Sequence, residues 1–148
     1  VGDVIQIAAA NTSDGTAAGS VPVMTQVDIA AVAANQAYDL ATEAAGTATD
    51  IYELTVNSDR GDLDVDMAAG TGVELMKSLS SGGDGSGLAA TASTNFYILA
   101  YEANSGKAYL YYVTNDGTPA LIAAELKPVM EIDGVAQNAM VAEDFILG

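Results

Sequence analysis

The sequence contains no histidine, no cysteine and no tryptophan, and it has 4 basic residues against 20 acidic ones. Without histidine or cysteine, the chain cannot form a Ser-His-Asp or Cys-His catalytic arrangement. The same absence excludes the nitrogen and sulfur ligand sets of zinc, copper and iron–sulfur centres. Oxygen ligands remain, and these suit hard cations such as Ca2+.

The lack of an identifiable catalytic pair also argues against enzymatic activity. A glycosidase needs only two carboxylates at a set separation. No such pair stands out among the acidic residues, and there is no tryptophan to stack against a sugar. We therefore predict that the protein is not an enzyme.

The scarcity of positive charge limits the partners of the chain. The formal net charge is -16, and the basic residues are Arg60, Lys77, Lys107 and Lys127. These four side chains cannot offset the repulsion of a phosphate backbone, so we expect no nucleic-acid binding. Anionic membrane surfaces are disfavoured for the same reason. No run of 18 apolar residues is present, which predicts no membrane insertion.

What the chain does have is enough apolar material for a core. Half of its 148 residues are hydrophobic, so we predict a single folded domain over residues 1–148 rather than an acidic disordered tail. The chain begins at Val1, which we interpret as processing or excision from a longer polypeptide. Acidity, absence of cysteine and processing together predict an extracellular or cell-surface location.

Hydrophobic periodicity predicts both strands and helices. Alternating patterns over residues 3–8, 50–56, 95–103, 107–114 and 129–132 predict strands. Apolar spacings of three and four over residues 24–45 predict a helix, and shorter helices are expected at 73–79 and 118–126. A further segment, 139–147, is expected to pass from helix to strand. We therefore predict an α+β fold, with an antiparallel sheet core, a tyrosine-rich hairpin and several short packing helices.

The hairpin carries five tyrosines, of which four, Tyr97, Tyr101, Tyr109 and Tyr111, alternate within the strands. Cross-strand aromatic residues usually pack against one another, and we favour packing here. A carbohydrate-binding face formed by these rings is the alternative. Two segments rich in glycine and serine predict flexibility: a linker after an extended N-terminal strand within residues 1–20, and an internal loop at 80–90.

The densest group of carboxylates comprises Asp59, Asp62, Asp64 and Asp66. If this segment is extended, the last three point to one face at intervals of ~7 Å. A bend would be needed to bring them around one Ca2+ ion, and the spacing lacks the glycine and glutamate of an EF-hand loop. We name the four residues as a candidate calcium site. A solvated acidic edge that prevents unwanted strand pairing is the alternative.

The second half of the chain carries a resemblance. The strands Asn-Phe-Tyr-Ile-Leu-Ala-Tyr at 95–101 and Lys-Ala-Tyr-Leu-Tyr-Tyr-Val at 107–113 are followed by Leu-Ile-Ala-Ala-Glu-Leu, Asp-Gly-Val and Glu-Asp-Phe. Together they resemble the C-terminal homology region, or bluetail domain, of large bacterial surface proteins, many of them cyanobacterial. The resemblance implies secretion in the company of calcium-binding RTX repeats. The glycine-rich nonapeptide repeats themselves are absent from this chain.

These observations lead to one main functional hypothesis and two alternatives. We expect a secreted structural protein that forms a homo-oligomer or polymer, in which Val4, Ile5 and Ile7 complete the sheet of a neighbouring copy. Bound Ca2+ would reduce the repulsion between acidic subunits. The first alternative is a C-terminal export or anchoring module of a larger calcium-binding secreted protein. The second is the carbohydrate-binding module that the tyrosines would form.

Overall fold

The structure, a computed structural model, describes residues 4–8, 18–29, 38–40, 49–56, 72, 75–76, 88–90, 94–102, 106–115, 117–136 and 139–148. Its strands are β1 (Ile5–Ile7), β2 (Met24–Ile29), β3 (Tyr38–Asp39), β4 (Ile51–Val56), β5 (Leu88–Ala89), β6 (Asn95–Glu102), β7 (Lys107–Thr114), β8 (Leu126–Asp133) and β9 (Phe145–Leu147). Two three-residue 3-10 turns, Ala123–Glu125 and Ala142–Asp144, precede β8 and β9. The described fold is therefore mostly β-sheet.

The centre of the fold is a five-stranded sheet in the order β2-β4-β6-β7-β8. Strands β2, β4 and β6 run parallel to one another, whereas β6, β7 and β8 are antiparallel neighbours. The hairpin predicted from the tyrosine-rich strands is confirmed as β6 and β7, which pair over their full length from Asn95↔Thr114 to Glu102↔Lys107. Gly106 in the connecting turn has a φ of 67°, a conformation that glycine adopts without strain.

Two smaller parallel pairs, β1–β9 and β3–β5, lie outside the central sheet. The central sheet is covered on both faces, and we call them the apolar face and the β9 face. The apolar face is packed under buried residues of the remaining chain: Leu40, Leu75, Met76, Leu88 and Leu121. The β9 face is packed under residues of the β1–β9 pair and of the segment before β9: Ile7, Met140, Phe145 and Leu147.

The predicted α+β class is wrong, because the regions expected to be helical contain strands. Met24–Ile29 is strand β2 and Tyr38–Asp39 is strand β3, although both lie in the segment predicted as the main helix. Thr25, Val27 and Ile29 are β-branched and alternate along the chain, a pattern that favours a strand. Pairing with β4 buries Val27 completely. Over residues 24–29, tertiary pairing thus prevails over the predicted helix.

The helix expected over residues 118–126 is also absent. Ala120 forms an isolated bridge with Ala89, only Ala123–Glu125 turns, and Leu126 already begins β8. Pro128, just after the predicted helix, lies inside β8. This strand is at the edge of the sheet, where a residue without an N–H group can be accommodated.

Only parts of the other predicted helical regions are described. Leu75 and Met76 are in a helical turn, and none of the helical turns in the described ranges reaches seven residues. Gly72, just before that turn, has a φ of 68°, and a Cβ there would lie 2.4 Å from the Cβ of Leu126. This close approach fixes the turn against the beginning of β8. Within the described ranges, no helix has the length and apolar character needed to span a bilayer.

Candidate functional site

The residues predicted for assembly form a strand that pairs within its own chain. Strand β1 runs parallel to β9 in the register Ile5↔Phe145, Gln6↔Ile146 and Ile7↔Leu147. The predicted N-terminal strand is therefore confirmed, and its partner is the strand nearly 140 positions later in the sequence.

The three predicted residues differ in burial. Val4 lies before the strand with 47% of its surface exposed, Ile5 is partly buried, and Ile7 is only 4% exposed. Ile7 belongs to the same buried cluster as Phe145 and Leu147, which face the central sheet. The main anchor of β1 is therefore Ile7.

Strand β9 is held by backbone hydrogen bonds on both sides. The N–H of Gly148 donates to the carbonyl of Ile7 at 2.7 Å, on the side of β1. The N–H of Leu147 donates to the carbonyl of Ser20 at 3.0 Å, and the N–H of Gly19 donates to the carbonyl of Leu147. Gly19 and Ser20 belong to the segment predicted as a flexible linker, so part of that segment is bonded to β9.

A buried polar network lies beneath this layer. Glu53 of β4 is completely buried, and its carboxylate accepts two hydrogen bonds. One comes from Gln26 Nε2 at 2.7 Å, and the other from the hydroxyl of Tyr101. The same hydroxyl accepts a hydrogen bond from the backbone N–H of Met140 at 3.3 Å. The network therefore connects three strands of the sheet to the segment that precedes β9.

The position of Tyr101 affects its ionisation. Burial disfavours the phenolate, and the neighbouring Glu53 carboxylate accepts a hydrogen bond from the hydroxyl and adds negative charge. Together they raise the pKa of Tyr101 well above its ordinary value. The hydroxyl therefore stays protonated across the physiological range and remains a hydrogen-bond donor to Glu53.

A cleft of about 490 Å³ opens beside this network. Its walls are part of β2, the Glu53 side chain and the segment before β9, formed by Met24, Thr25, Gln26, Glu53, Met140, Val141 and Ala142. Solvent thus reaches the vicinity of Glu53 from the side of Gln26, whose side chain is exposed. The cleft separates β2 from the residues that lead into β9.

The candidate calcium residues Asp59, Asp62, Asp64 and Asp66 lie outside the described residues. Across the ranges that are described, no group of three or more potential metal ligands comes together. Ca2+ thus remains a prediction from the sequence for that segment.

The four hairpin tyrosines considered for a carbohydrate-binding face do not form a common surface. Tyr97 and Tyr101 pack on the β9 face, whereas Tyr109 and Tyr111 pack on the apolar face. All four are buried, with exposures of 3% or less. Because a sugar ring needs an accessible aromatic face, these rings cannot serve as a carbohydrate platform in this conformation. Their packing role is the one that the structure supports.

Sequence reasoning did not single out Glu53 or the hydroxyl of Tyr101. The alternation of β4 placed Glu53 on a face expected to be exposed, but the β1–β9 layer covers that face. The local sequence gives no signal of this burial, because a charged residue between Tyr52 and Leu54 is also typical of a strand with one exposed face. Only the position of β9, set by pairing across the whole sequence, reveals its burial.

Comparisons with protein-family models, with curated proteins and with solved structures found no match to this chain.

Proposed function

We propose that this protein is an extracellular, non-enzymatic structural protein that assembles with copies of itself by exchanging strand β1. The observation that carries the proposal is the β1–β9 pair. Strand β1 has only three residues, and among the described strands it pairs with β9 alone. A strand that contributes one edge pairing can be replaced by the same strand of another copy.

The connection between β1 and β2 gives this strand the necessary reach. Residues 8–23 lie between the two strands. A fully extended segment of that length spans about 50 Å, which exceeds the width of a domain of this size. Exchange requires the contacts of Gly19 and Ser20 with β9 to be broken or rebuilt, so it is expected to be slow.

Exchange preserves the contacts that hold β1. A β1 strand from a neighbour would make the same Ile5↔Phe145 and Ile7↔Leu147 pairs as the strand it replaces. Reciprocal exchange between two copies gives a closed dimer, whereas head-to-tail exchange gives an open filament. The same strand thus serves both the monomer and the polymer.

Charge opposes such an assembly, and cations would favour it. Each subunit carries a formal charge of -16, so neighbouring subunits repel one another unless counterions collect between them. We include Ca2+ in the proposal as an ion that reduces this repulsion, with Asp59, Asp62, Asp64 and Asp66 as its candidate ligands. Chelation should then shorten or dissolve filaments seen by electron microscopy.

A designed disulfide tests the exchange directly, because the native chain has no cysteine. Gln6 and Ile146 are register partners, so the double variant Gln6→Cys/Ile146→Cys can form one bond between β1 and β9. We expect oxidation of the assembled protein to give a ladder of covalent multimers on non-reducing gels. Gln6→Cys alone is the control, and it should give no species larger than a dimer.

A double variant that yields only internally bonded monomer, at concentrations where assemblies are seen, would refute exchange of β1. That result would favour the export or anchoring module, in which the β1–β9 pair closes a single domain.

A further inference from the structure

The buried carboxylate of Glu53 is not required by the sheet that contains it. An ionised group removed from water loses hydration, and replacing a buried polar group with an apolar residue of similar size is often neutral or stabilising. Its register partners Gln26 and Leu99 impose no need for a charge at this position. The group that depends on Glu53 is the Tyr101 hydroxyl, and the function of the pair follows from what that hydroxyl holds.

The Tyr101 hydroxyl uses both of its hydrogen-bonding capacities. Its proton is donated to Glu53, and its oxygen accepts the N–H of Met140. Glu53 therefore fixes the direction of the hydroxyl and leaves the oxygen lone pair for Met140. Gln26 holds the second carboxylate oxygen and prevents the side chain from rotating away.

Met140 is close in sequence to β9, and the intervening segment is itself fixed. The N–H of Val141 donates to Asp144 Oδ2 at 2.9 Å, closing the 3-10 turn Ala142–Asp144. Phe145 follows immediately and begins β9. A displacement of Met140 is therefore transmitted to the strand that pairs with β1.

The cleft beside Glu53 makes opening of this contact less costly. If Met140 moves away, water can enter from the cleft and hydrate both the carboxylate and the tyrosine hydroxyl. A purely apolar contact would gain no such favourable hydration when it is exposed to water. The polar pair thus holds Met140 when closed and is solvated when open.

We propose that Tyr101 and Glu53 form a latch that sets how often the β9 layer opens, and so how fast β1 is exchanged between copies. The regulatory part of this inference rests on the proposed function, whereas the latch itself is a property of the monomer. Tyr101 is a positioning residue, because it acts on β1 through Met140 and β9.

Native-state amide hydrogen exchange on dilute monomer tests the latch. In Tyr101→Phe we expect the amides of Leu147 and Gly148 to exchange at least about tenfold faster than in the wild type, since a hydrogen bond to a charged group is lost. The amide of Leu121, which donates to the carbonyl of Leu88 on the other face, serves as the internal reference. Its exchange should change much less.

Two further variants separate the latch from a general loss of stability. Tyr111→Phe removes a hydroxyl from an equally buried tyrosine on the apolar face, and it should not accelerate Leu147 selectively. Glu53→Gln keeps an oxygen that can accept a hydrogen bond from the Tyr101 hydroxyl. We therefore expect the Leu147 amide to exchange within about threefold of the wild-type rate. Equal acceleration of Leu147 and Leu121 in Tyr101→Phe would overturn the latch, as would no acceleration.

The effect on assembly is measured with the Gln6→Cys/Ile146→Cys pair in a Tyr101→Phe background. We expect covalent multimers to appear faster by about the same factor as the Leu147 amide exchange. If the wild-type pair never forms multimers, the proposed function fails while the amide measurement still tests the latch. If multimers form at an unchanged rate although β9 opens faster, the link between latch and assembly is wrong.

Discussion

The two faces of the central sheet are buried to a similar degree but are closed in different ways. The apolar face is covered by buried side chains from separate parts of the chain, among them Leu40, Leu75 and Leu88. The β9 face is covered by two strands of three residues each, and a buried carboxylate and hydroxyl lie beneath them. Both layers contain backbone hydrogen bonds, such as the one from Leu121 to Leu88 in the first. The second differs because a buried carboxylate and a tyrosine hydroxyl also bond its covering segment to the sheet.

This difference indicates which layer can leave. Packing among many side chains is lost only when the whole cluster separates, so the apolar face is expected to open with global unfolding. The β9 layer has two strands of only three residues each and polar groups that water can satisfy, which favours local opening. A protein that exchanges a strand needs one stable face and one that opens.

The strongest test of this comparison uses neighbouring residues of β6. Ile98 faces the apolar layer and Leu99 faces the β9 layer, and both are completely buried. We expect Ile98→Ala to lower the free energy of unfolding by about 4 kcal/mol and Leu99→Ala by about 2 kcal/mol, because the thinner β9 layer can move into the cavity. Urea denaturation of both variants measures the difference. Equal losses would show that the two layers are equally rigid.

A second prediction concerns alkaline pH. Because the pKa of Tyr101 is raised in the folded state, the unfolded chain releases this proton first. The contribution of this raised pKa to the free energy of unfolding is fully present below about pH 10. It is lost as pH rises towards the folded-state pKa, at up to ~1.4 kcal/mol per pH unit. Urea titrations between pH 9 and 11 should show a shallower decline for Tyr101→Phe than for wild type. Parallel declines would contradict a buried, hydrogen-bonded Tyr101 on the β9 face.

The smallest predicted effect distinguishes the two 3-10 turns. Glu125 Oε2 accepts the N–H of Ile122 before β8, and Asp144 Oδ2 accepts the N–H of Val141 before β9. Glu125 is buried and Asp144 only partly so. We expect Glu125→Ala to cost about 1.5 kcal/mol and Asp144→Ala about 0.5 kcal/mol. Thermal unfolding at matched pH would measure both losses of stability. A larger loss for Asp144→Ala than for Glu125→Ala would contradict the view that the β9 layer is the weaker one.

The sequence was sufficient to predict the strands whose local pattern agrees with their burial. Strands β1, β4, β6 and β7 were predicted from alternation, and the β6–β7 hairpin from the turn between its strands. In these segments, local propensity and tertiary pairing favour the same structure. The apolar positions of β7, including Leu110 and Val113, are buried as their pattern indicates.

The errors occur where the partner of a segment is distant. Residues 24–29 form a strand because β4 lies beside them, and the helical spacing of the following alanines gave no sign of this pairing. The alternation of β4 did not indicate the burial of Glu53, because the cover provided by β9 comes from residues more than 90 positions later. The turns before β8 and β9 share an alanine followed two residues later by an acidic residue, a signal that could have been found in the sequence.

The parallel arrangement of β1 and β9 also determines how the fold responds to tension. A pull on the chain ahead of β1 and behind β9 draws the two strands past each other along their common axis. Their backbone bonds then share the load, whereas a hairpin pulled apart from its open end breaks one bond after another. In the assembly proposed above, each joint between copies is this same pair. Stretching such a fibre would therefore load every joint in shear, the direction in which paired strands resist force best.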